Sequence, residues 1–141
     1  MKYLLDTCVI SEIYKDSPDA AVDAWFQNTN EEDMHLSVLS LGELEKGIQK
    51  LSDGKKKHAL AAWIHDLAAQ FGERILPVNQ TIAVTWGALQ AENEKKGRPL
   101  PAIDSLLAAT ARVHGLTVVT RNSPDMEATG VSLFNPWNAP A

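Results

Sequence analysis

The sequence predicts an α/β domain of three layers, in which helices cover both faces of a mostly parallel sheet of about five short strands. Short apolar segments alternate along the chain with longer segments whose apolar residues recur at helical spacing. This alternation is typical of parallel sheets that are buried on both faces. The chain has 141 residues, 45% of them hydrophobic and 22% charged, and no repeat or linker divides it. We therefore expect residues 1–141 to form one domain.

The five predicted strands are short apolar runs, each followed by polar or turn-forming residues. They cover residues 2–5, 35–38, 74–78, 116–120 and 131–134. In a parallel sheet of this kind the functional site lies beyond the carboxyl ends of the strands. The residues that follow each strand are therefore the first candidates for a site.

The six predicted helices follow from apolar spacing and from their boundary residues. They cover residues 7–14, 18–26, 40–51, 55–71, 81–96 and 102–114. Pro18 suits the first turn of the second helix, and Ser40 begins the third. Gly97 ends the fifth helix. The sixth is almost uniformly apolar, so we expect it to be buried on most sides.

Charge and cysteine content narrow the classes of protein. The net charge is −5, but residues 1–45 carry ten acids against two bases, and residues 46–141 carry eleven bases against eight acids. An acidic chain argues against a general nucleic-acid coating protein. Cys8 is the single cysteine, which excludes an internal disulfide and suits a reducing compartment. No apolar run approaches the length of a membrane span, so we expect a cytoplasmic protein.

Three acidic residues lie where a hydrophobic segment turns into a helix or opens one: Asp6, Glu43 and Asp104. Residues 120–125 form a further polar cluster after the fourth strand. If the topology brings these positions to one edge, several carboxylates are buried near one another, which is costly. Such a pattern favours a bound cation, and oxygen ligands favour a hard one such as Mg²⁺ or Mn²⁺.

Each acid also has an ordinary structural explanation. Asp6 fits the N-cap of the helix that follows it, and Ser40 with Glu43 matches a capping box. Asp104 lies in a first helical turn, where the dipole favours a carboxylate. Two details favour a site instead. Asp104 is embedded among apolar residues, and Glu43 shares a helical face with Gly47, where the missing side chain leaves room for an approaching group.

Four motifs carry a resemblance to a known family. They are Leu5-Asp-Thr-Cys-Val-Ile-Ser-Glu, Ser37-Val-Leu-Ser-Leu-Gly-Glu-Leu, Asp104-Ser-Leu-Leu-Ala-Ala-Thr-Ala and Val119-Thr-Arg-Asn. Together they resemble a PIN domain, and more narrowly the VapC-type toxins of bacterial toxin–antitoxin modules, close to the FitB-like branch. The terminal Leu133-Phe-Asn-Pro-Trp resembles that branch as well. The resemblance runs over essentially the whole chain and implies a PIN-like three-layer α/β/α sandwich.

The resemblance also implies an activity and its residues. It implies a metal-dependent endoribonuclease with Asp6, Glu43, Asp104 and Asn122 as catalytic residues. Mg²⁺, with Mn²⁺ as a substitute, would be held by Asp6 and Asp104. Glu43 would bind the ion through water or act as a general base, and both roles stay open. Many relatives carry aspartate where this chain has Asn122, so a second metal position is in doubt, and Asp125 is a candidate replacement.

The implied partners are an RNA substrate and a VapB-type antitoxin that places an arginine in the acidic pocket. The resemblance further implies a homodimer and a higher toxin–antitoxin assembly, with no membrane partner. Two other functions compete with the nuclease. With Asn122 in place of an acid, the chain is a candidate PIN-like scaffold that acts through protein binding. A receiver-like use of Asp6 as phospho-acceptor ranks last, because a second acid beside Asp6 and a lysine after the fourth strand are missing.

Overall fold

The computed structural model describes residues 1–138, which contain a five-stranded sheet whose neighbouring strands all pair in parallel. The strands are β1 (Tyr3–Leu5), β2 (Met34–Ser37), β3 (Ile75–Leu76), β4 (Thr117–Val119) and β5 (Leu133–Phe134). Their order across the sheet is β3-β2-β1-β4-β5. The predicted fold class is confirmed, and β1 lies at the centre of the sheet, between β2 and β4.

Seven α-helices connect and cover the strands in the described part of the chain. They are α1 (Thr7–Tyr14), α2 (Ala20–Gln27), α3 (Val38–Gln49), α4 (Lys55–Phe71), α5 (Gln80–Lys95), α6 (Ala102–His114) and α7 (Ser123–Met126). The bounds predicted for α1, α4 and α6 agree with these. Within residues 1–138, no helix combines the length and the apolar character needed to cross a membrane.

Two apolar cores lie on opposite faces of the sheet, because successive residues of a strand point to opposite faces. On one face Leu4 packs in a cluster with Leu107 of α6. On the other face Leu5 packs in a cluster with Val9 of α1 and Val22 of α2. All five side chains are at most 1% exposed. The sheet is thus the middle layer of three, and each face is closed by helices.

The structure corrects the predicted strand bounds. β2 is displaced by one residue toward the N-terminus, and the other four strands are shorter than predicted. The shortest strands are β3 and β5, which pair over only two residues each. Both are edge strands that pair with one neighbour alone. The apolar residues before and after each of them in the chain therefore have no second strand with which to form ladder hydrogen bonds.

Three helix predictions are also corrected. The second helix begins at Ala20, so Pro18 lies before its first turn; Asp19 provides the N-cap by accepting hydrogen bonds from the N–H groups of Ala21 and Val22. The third begins at Val38, capped by Ser37, whose Oγ accepts from the N–H of Leu39 at 3.1 Å. The fifth helix, α5, begins and ends one residue earlier than predicted, and the short helix α7 was not predicted.

Candidate active site

The register of the central strands brings the first acid beside the polar cluster that follows β4. β1 pairs with β4 so that Leu5 lies opposite Val119, and the N–H of Asp6 continues the ladder by donating to the Val119 carbonyl at 2.9 Å. Asp6 and Thr120 therefore leave the sheet side by side. The Thr120 hydroxyl donates to Asp6 Oδ2 at 2.7 Å, and both residues are buried.

Asp6 is also the N-cap of α1. Its Oδ1 accepts from the N–H of Thr7 at 2.7 Å, so the capping interpretation of this residue is confirmed. The capped carboxylate can still bind another group, because each of its oxygens has a second lone pair beyond its one hydrogen bond. Only 6% of Asp6 is exposed, and two donors fix its orientation at the carboxyl edge of the sheet.

The second acid reaches the same edge from α3. Glu43 Oε1 accepts from the hydroxyl of Thr7 at 2.6 Å, and Ser40 Oγ lies 3.0 Å from that hydroxyl oxygen. The capping-box interpretation of Ser40 and Glu43 is wrong, because α3 begins before Ser40 and Ser40 is fully buried inside it. Glu43 thus points toward the start of α1, the helix that Asp6 caps.

The third acid lies in the first turn of α6 and is half-buried. Burial raises the pKa of Asp104 above its ordinary value, and the negative charges of three nearby carboxylates raise it further: Asp6, Glu43 and Asp125. The four acids therefore share one electrostatic environment. The direction of this shift means that, without a cation, the clustered carboxylates favour uptake of a proton by Asp104.

Asn122 and Asp125 flank the cluster on the far side of β4. The N–H of Asn122 donates to Thr120 Oγ1 at 3.0 Å, so one hydroxyl links the backbone of Asn122 to the carboxylate of Asp6. Asn122 is exposed and precedes α7, and Asp125 is exposed within that helix. Arg121, which immediately precedes Asn122, stacks its guanidinium over the ring of Trp137, 4.8 Å from the ring centroid.

Within residues 1–138, no ion pair balances the negative charge of this cluster. In residues 1–138 the ion pairs join Lys15 to Glu12, Lys57 to Asp53 and Lys96 to Glu92, and they leave the four acids out. The same part of the chain holds no set of three histidine, cysteine, aspartate or glutamate side chains arranged to share a metal ion. The donor set fits a hard cation that takes one or two carboxylates and keeps several waters, which is the usual mode of Mg²⁺.

Sequence reasoning missed the hydroxyl groups that orient the acids: Thr7, Ser40 and Thr120. Thr7 and Thr120 stand within the motifs that carried the resemblance, and each is next to or bonded to a predicted site residue. Their position in those motifs was the available signal. The sequence pattern assigns Ser40 to a helix cap, and only the observed start of α3 shows that it lies inside the helix.

Comparison with known proteins decides the family. A model of the PIN domain matches residues 3–129 of the chain.

The chain belongs to the PIN-domain family.

Relatives of this PIN domain agree with the branch that its motifs indicate. It is 37% identical to the toxin FitB of Neisseria gonorrhoeae over 136 residues, which cover 96% of this chain and 98% of FitB. The VapC ribonuclease Y4jK of Sinorhizobium fredii is 33% identical, with 95% of this chain and 96% of that protein covered. The crystal structure of FitAcB from Neisseria gonorrhoeae superposes with a TM-score of 0.91 at 36% identity, covering 96% of this chain and 99% of that one.

The thiol of Cys8, the single cysteine of this PIN domain, is expected to react slowly with alkylating reagents. Burial, followed by the charge of Asp6, raises the pKa of Cys8 to about 11. At pH 8 only about one thiol in a thousand is then ionised. We expect iodoacetamide to alkylate Cys8 of the folded protein at least about 100-fold more slowly than in the unfolded chain, where an ordinary thiol pKa applies. Mass spectrometry at intervals, with and without urea, measures both rates, and equal rates would contradict the burial described above.

Proposed function

We propose that this PIN domain is a Mg²⁺-dependent endoribonuclease that acts as the toxin of a toxin–antitoxin pair. The observation that carries the proposal is that Asp6, Glu43 and Asp104, from three separate segments, lie near enough for the charges of the first two to raise the pKa of the third, and that none of them forms an ion pair in the described chain. The relatives add support, since one is named a toxin and another a ribonuclease. Phosphodiester hydrolysis is the chemistry for which such a pocket is suited.

Asp6 and Asp104 are the proposed ligands of the cation. When bound, Mg²⁺ would screen the phosphoryl charge and lower the pKa of a bound water. Thr120 and the N–H of Thr7 keep the carboxylate of Asp6 in one orientation, which avoids reorganisation when the substrate arrives. A binding site built from two carboxylates does not require three preassembled side-chain ligands.

Glu43 is the proposed handler of the attacking water. The Thr7 hydroxyl holds its Oε1, which leaves Oε2 to accept a proton from that water or to orient it. The water oxygen forms a new bond to phosphorus, and the bond between phosphorus and one ribose oxygen breaks. The proton lost by the water is taken up by the carboxylate, and the departing ribose oxygen takes a proton from solvent. Asn122, next to this pocket, would position water or substrate through its amide.

The proposal includes partners. The acidic pocket suits an arginine of an antitoxin, because a guanidinium supplies positive charge and paired donors to carboxylates. A VapB-type antitoxin would therefore compete with the cation and silence the enzyme. We also propose a homodimer and a larger assembly with the antitoxin; the likeness to the toxin FitB and to the FitAcB structure supports the assembly with the antitoxin.

Cleavage of a total RNA pool by purified, antitoxin-free protein tests the activity. We expect fragments whose ends lack a 2′,3′-cyclic phosphate, because water and not the ribose 2′-hydroxyl attacks the phosphorus. A trace of a contaminating nuclease that uses the 2′-hydroxyl would leave that cyclic group. Failure of the folded protein to cut RNA in Mg²⁺ or in Mn²⁺ would overturn the proposed activity.

Two observations favour a second candidate, a PIN-like scaffold that acts through binding to an antitoxin protein. Asn122 brings no charge to a position where the family resemblance implies an acid in many relatives, and the described residues do not hold three metal-binding side chains in one group. A scaffold would bind its protein partner without binding Mg²⁺. Absence of both cleavage and Mg²⁺ binding in a protein that still binds an antitoxin would favour it.

A further inference from the structure

We infer that the exposed face of α3 carries the RNA strand into the active site, with Lys46 and Lys50 as its phosphate contacts. This inference rests on the proposed nuclease function and adds the surface that binds its substrate. A groove of about 520 Å³ runs along α3 from Glu43 to Lys50 and is closed on its other side by Ile103 of α6. Glu43 lines both this groove and the acidic pocket, and Ile103 immediately precedes Asp104. The groove therefore leads directly to the proposed catalytic carboxylates.

The floor of the groove lacks a side chain at two positions. Gly42 and Gly47 both line it, and a β-carbon added at either position would meet no atom of the chain within 4 Å. Glycine weakens the interior of a helix, and packing within the described chain does not require it at these two positions. The two glycines let a ligand approach the backbone of α3 more closely than any other residue type would.

The charges in the groove fit a phosphate chain. Lys46 and Lys50 lie one turn apart on the same face of α3 and are exposed. Neither forms an ion pair within residues 1–138. Their backbone positions differ by about 6 Å along the helix axis, so the two ammonium groups can contact successive parts of one extended strand. The chain as a whole has a net charge of −5 and would repel a polyanion. Two lysines without ion pairs beside the acidic pocket therefore provide a local positive charge that attracts it.

An RNA strand fits this groove better than a protein helix does. The groove is lined by two ammonium groups and by Glu43, and its apolar part consists of Val38, Leu39 and Ile103, with Val38 39% exposed at its start. The anchors of a stable protein interface are mostly aromatic or arginine side chains, and the described lining of this groove contains neither. A phosphate backbone needs cations and close access to a surface, and both are present.

RNA binding by charge-neutral variants tests the inference. The double variant Lys46→Gln/Lys50→Gln is compared with the matched control Lys55→Gln/Lys56→Gln, which removes two exposed lysines from the start of α4, outside the groove. All measurements use a single-stranded RNA oligonucleotide and carry Asp104→Asn as well, so that the RNA stays intact. We expect the groove variant to bind at least about tenfold more weakly at low salt, and its plot of log K against log salt to be shallower by about 1.4, since each lost phosphate contact removes about 0.7.

Cleavage kinetics separate this inference from the function on which it rests. These kinetics use the groove variant with the wild-type Asp104. Its KM should be higher than that of the wild-type protein and its kcat should agree within about twofold, because the lysines bind the substrate and do not take part in the chemistry. Normal cleavage with RNA affinity and salt slope equal to those of the Lys55/Lys56 control would overturn the RNA path and leave the nuclease standing. Lysine-dependent binding by a protein that never cleaves RNA would overturn the nuclease and leave the path standing.

Two further readouts test the occupant of the groove. Gly47→Ala should raise the melting temperature, because alanine favours the helix, and should weaken RNA binding, because its methyl group stands in the path of the strand. Sedimentation of the groove variant should give the same mass as the wild type. A change of mass with unchanged RNA affinity would show that a second copy of the chain occupies this face and would overturn the inference.

Discussion

Replacing Asp104 with asparagine is expected to lower RNA cleavage by about 10²–10³-fold or more while the protein stays folded. The amide keeps the size and shape of the side chain but removes the charge that would hold the cation. Within residues 1–138 the Asp104 side chain forms no hydrogen bond or ion pair, so the substitution breaks no structural contact there. Initial rates on RNA and circular dichroism measure both halves of the prediction.

The matched control is Asp66→Asn, which removes an exposed carboxylate from α4 that takes part in no ion pair of the described chain. This variant should cut RNA at the wild-type rate. Wild-type cleavage by the Asp104 variant would remove Asp104 from the site. A fall of equal size in both variants would point to lost folding or a general charge effect.

The same substitution has an expected effect on stability in metal-free buffer. The pKa of Asp104 is raised in the folded protein, so above the ordinary pKa of aspartate the folded state binds more protons than the unfolded state does. The contribution of this group to stability therefore falls as the pH rises through the interval between the two pKa values, and the deficit persists at neutral pH. Asp104→Asn should remove that fall, and its melting temperature in EDTA should equal or exceed that of the wild type.

Magnesium is expected to stabilise the folded wild-type protein and to be required for cleavage. A cation at ten times its dissociation constant contributes about 1.4 kcal/mol to the free energy of unfolding, which raises the melting temperature by roughly 3–6 °C for a chain of this size. The physical reason is the unbalanced charge of four neighbouring acids, which a divalent ion relieves. Thermal melts across a titration of MgCl₂ or MnCl₂, and RNA cleavage with and without EDTA, measure the two effects.

Variants make this prediction specific to the proposed site. Asp104→Asn should lose most of the thermal shift, and Asp66→Asn should keep it. A folded wild-type protein whose melting temperature is unchanged by either cation, and which cuts RNA equally well in EDTA, would refute the metal site. Equal shifts in all three proteins would place the bound cation elsewhere on the surface.

Local patterns predicted most of the elements of this PIN domain. The helix α6 has the predicted bounds because its apolar residues, its preceding prolines and the glycine that follows it all specify the same segment. Edge strands were predicted less well. β3 has two residues where five were predicted, because its length depends on how far it pairs with β2, and that pairing is set by residues distant in the chain.

The site residues illustrate the same division. Asp6, Glu43 and Asp104 were singled out from their types and positions, and their catalytic and metal-binding roles remain predictions. The contacts around them were not accessible from local pattern. Ser40 was assigned to a helix cap because it precedes Glu43 by three residues, but the helix begins at Val38 and Ser40 faces Thr7.

The sequence by itself determined the fold class, the order of the elements, the family and the acids that make up the candidate site, because these depend on residue chemistry and on periodicity within single segments. Only the tertiary structure decided which hydroxyl orients which carboxylate. Thr7 and Glu43 are 36 residues apart, and Thr120 and Asp6 are 114 apart. Such pairs meet because the parallel register of β1 with β4 and the packing of α3 beside α1 place them together, and a register is a property of the whole sheet.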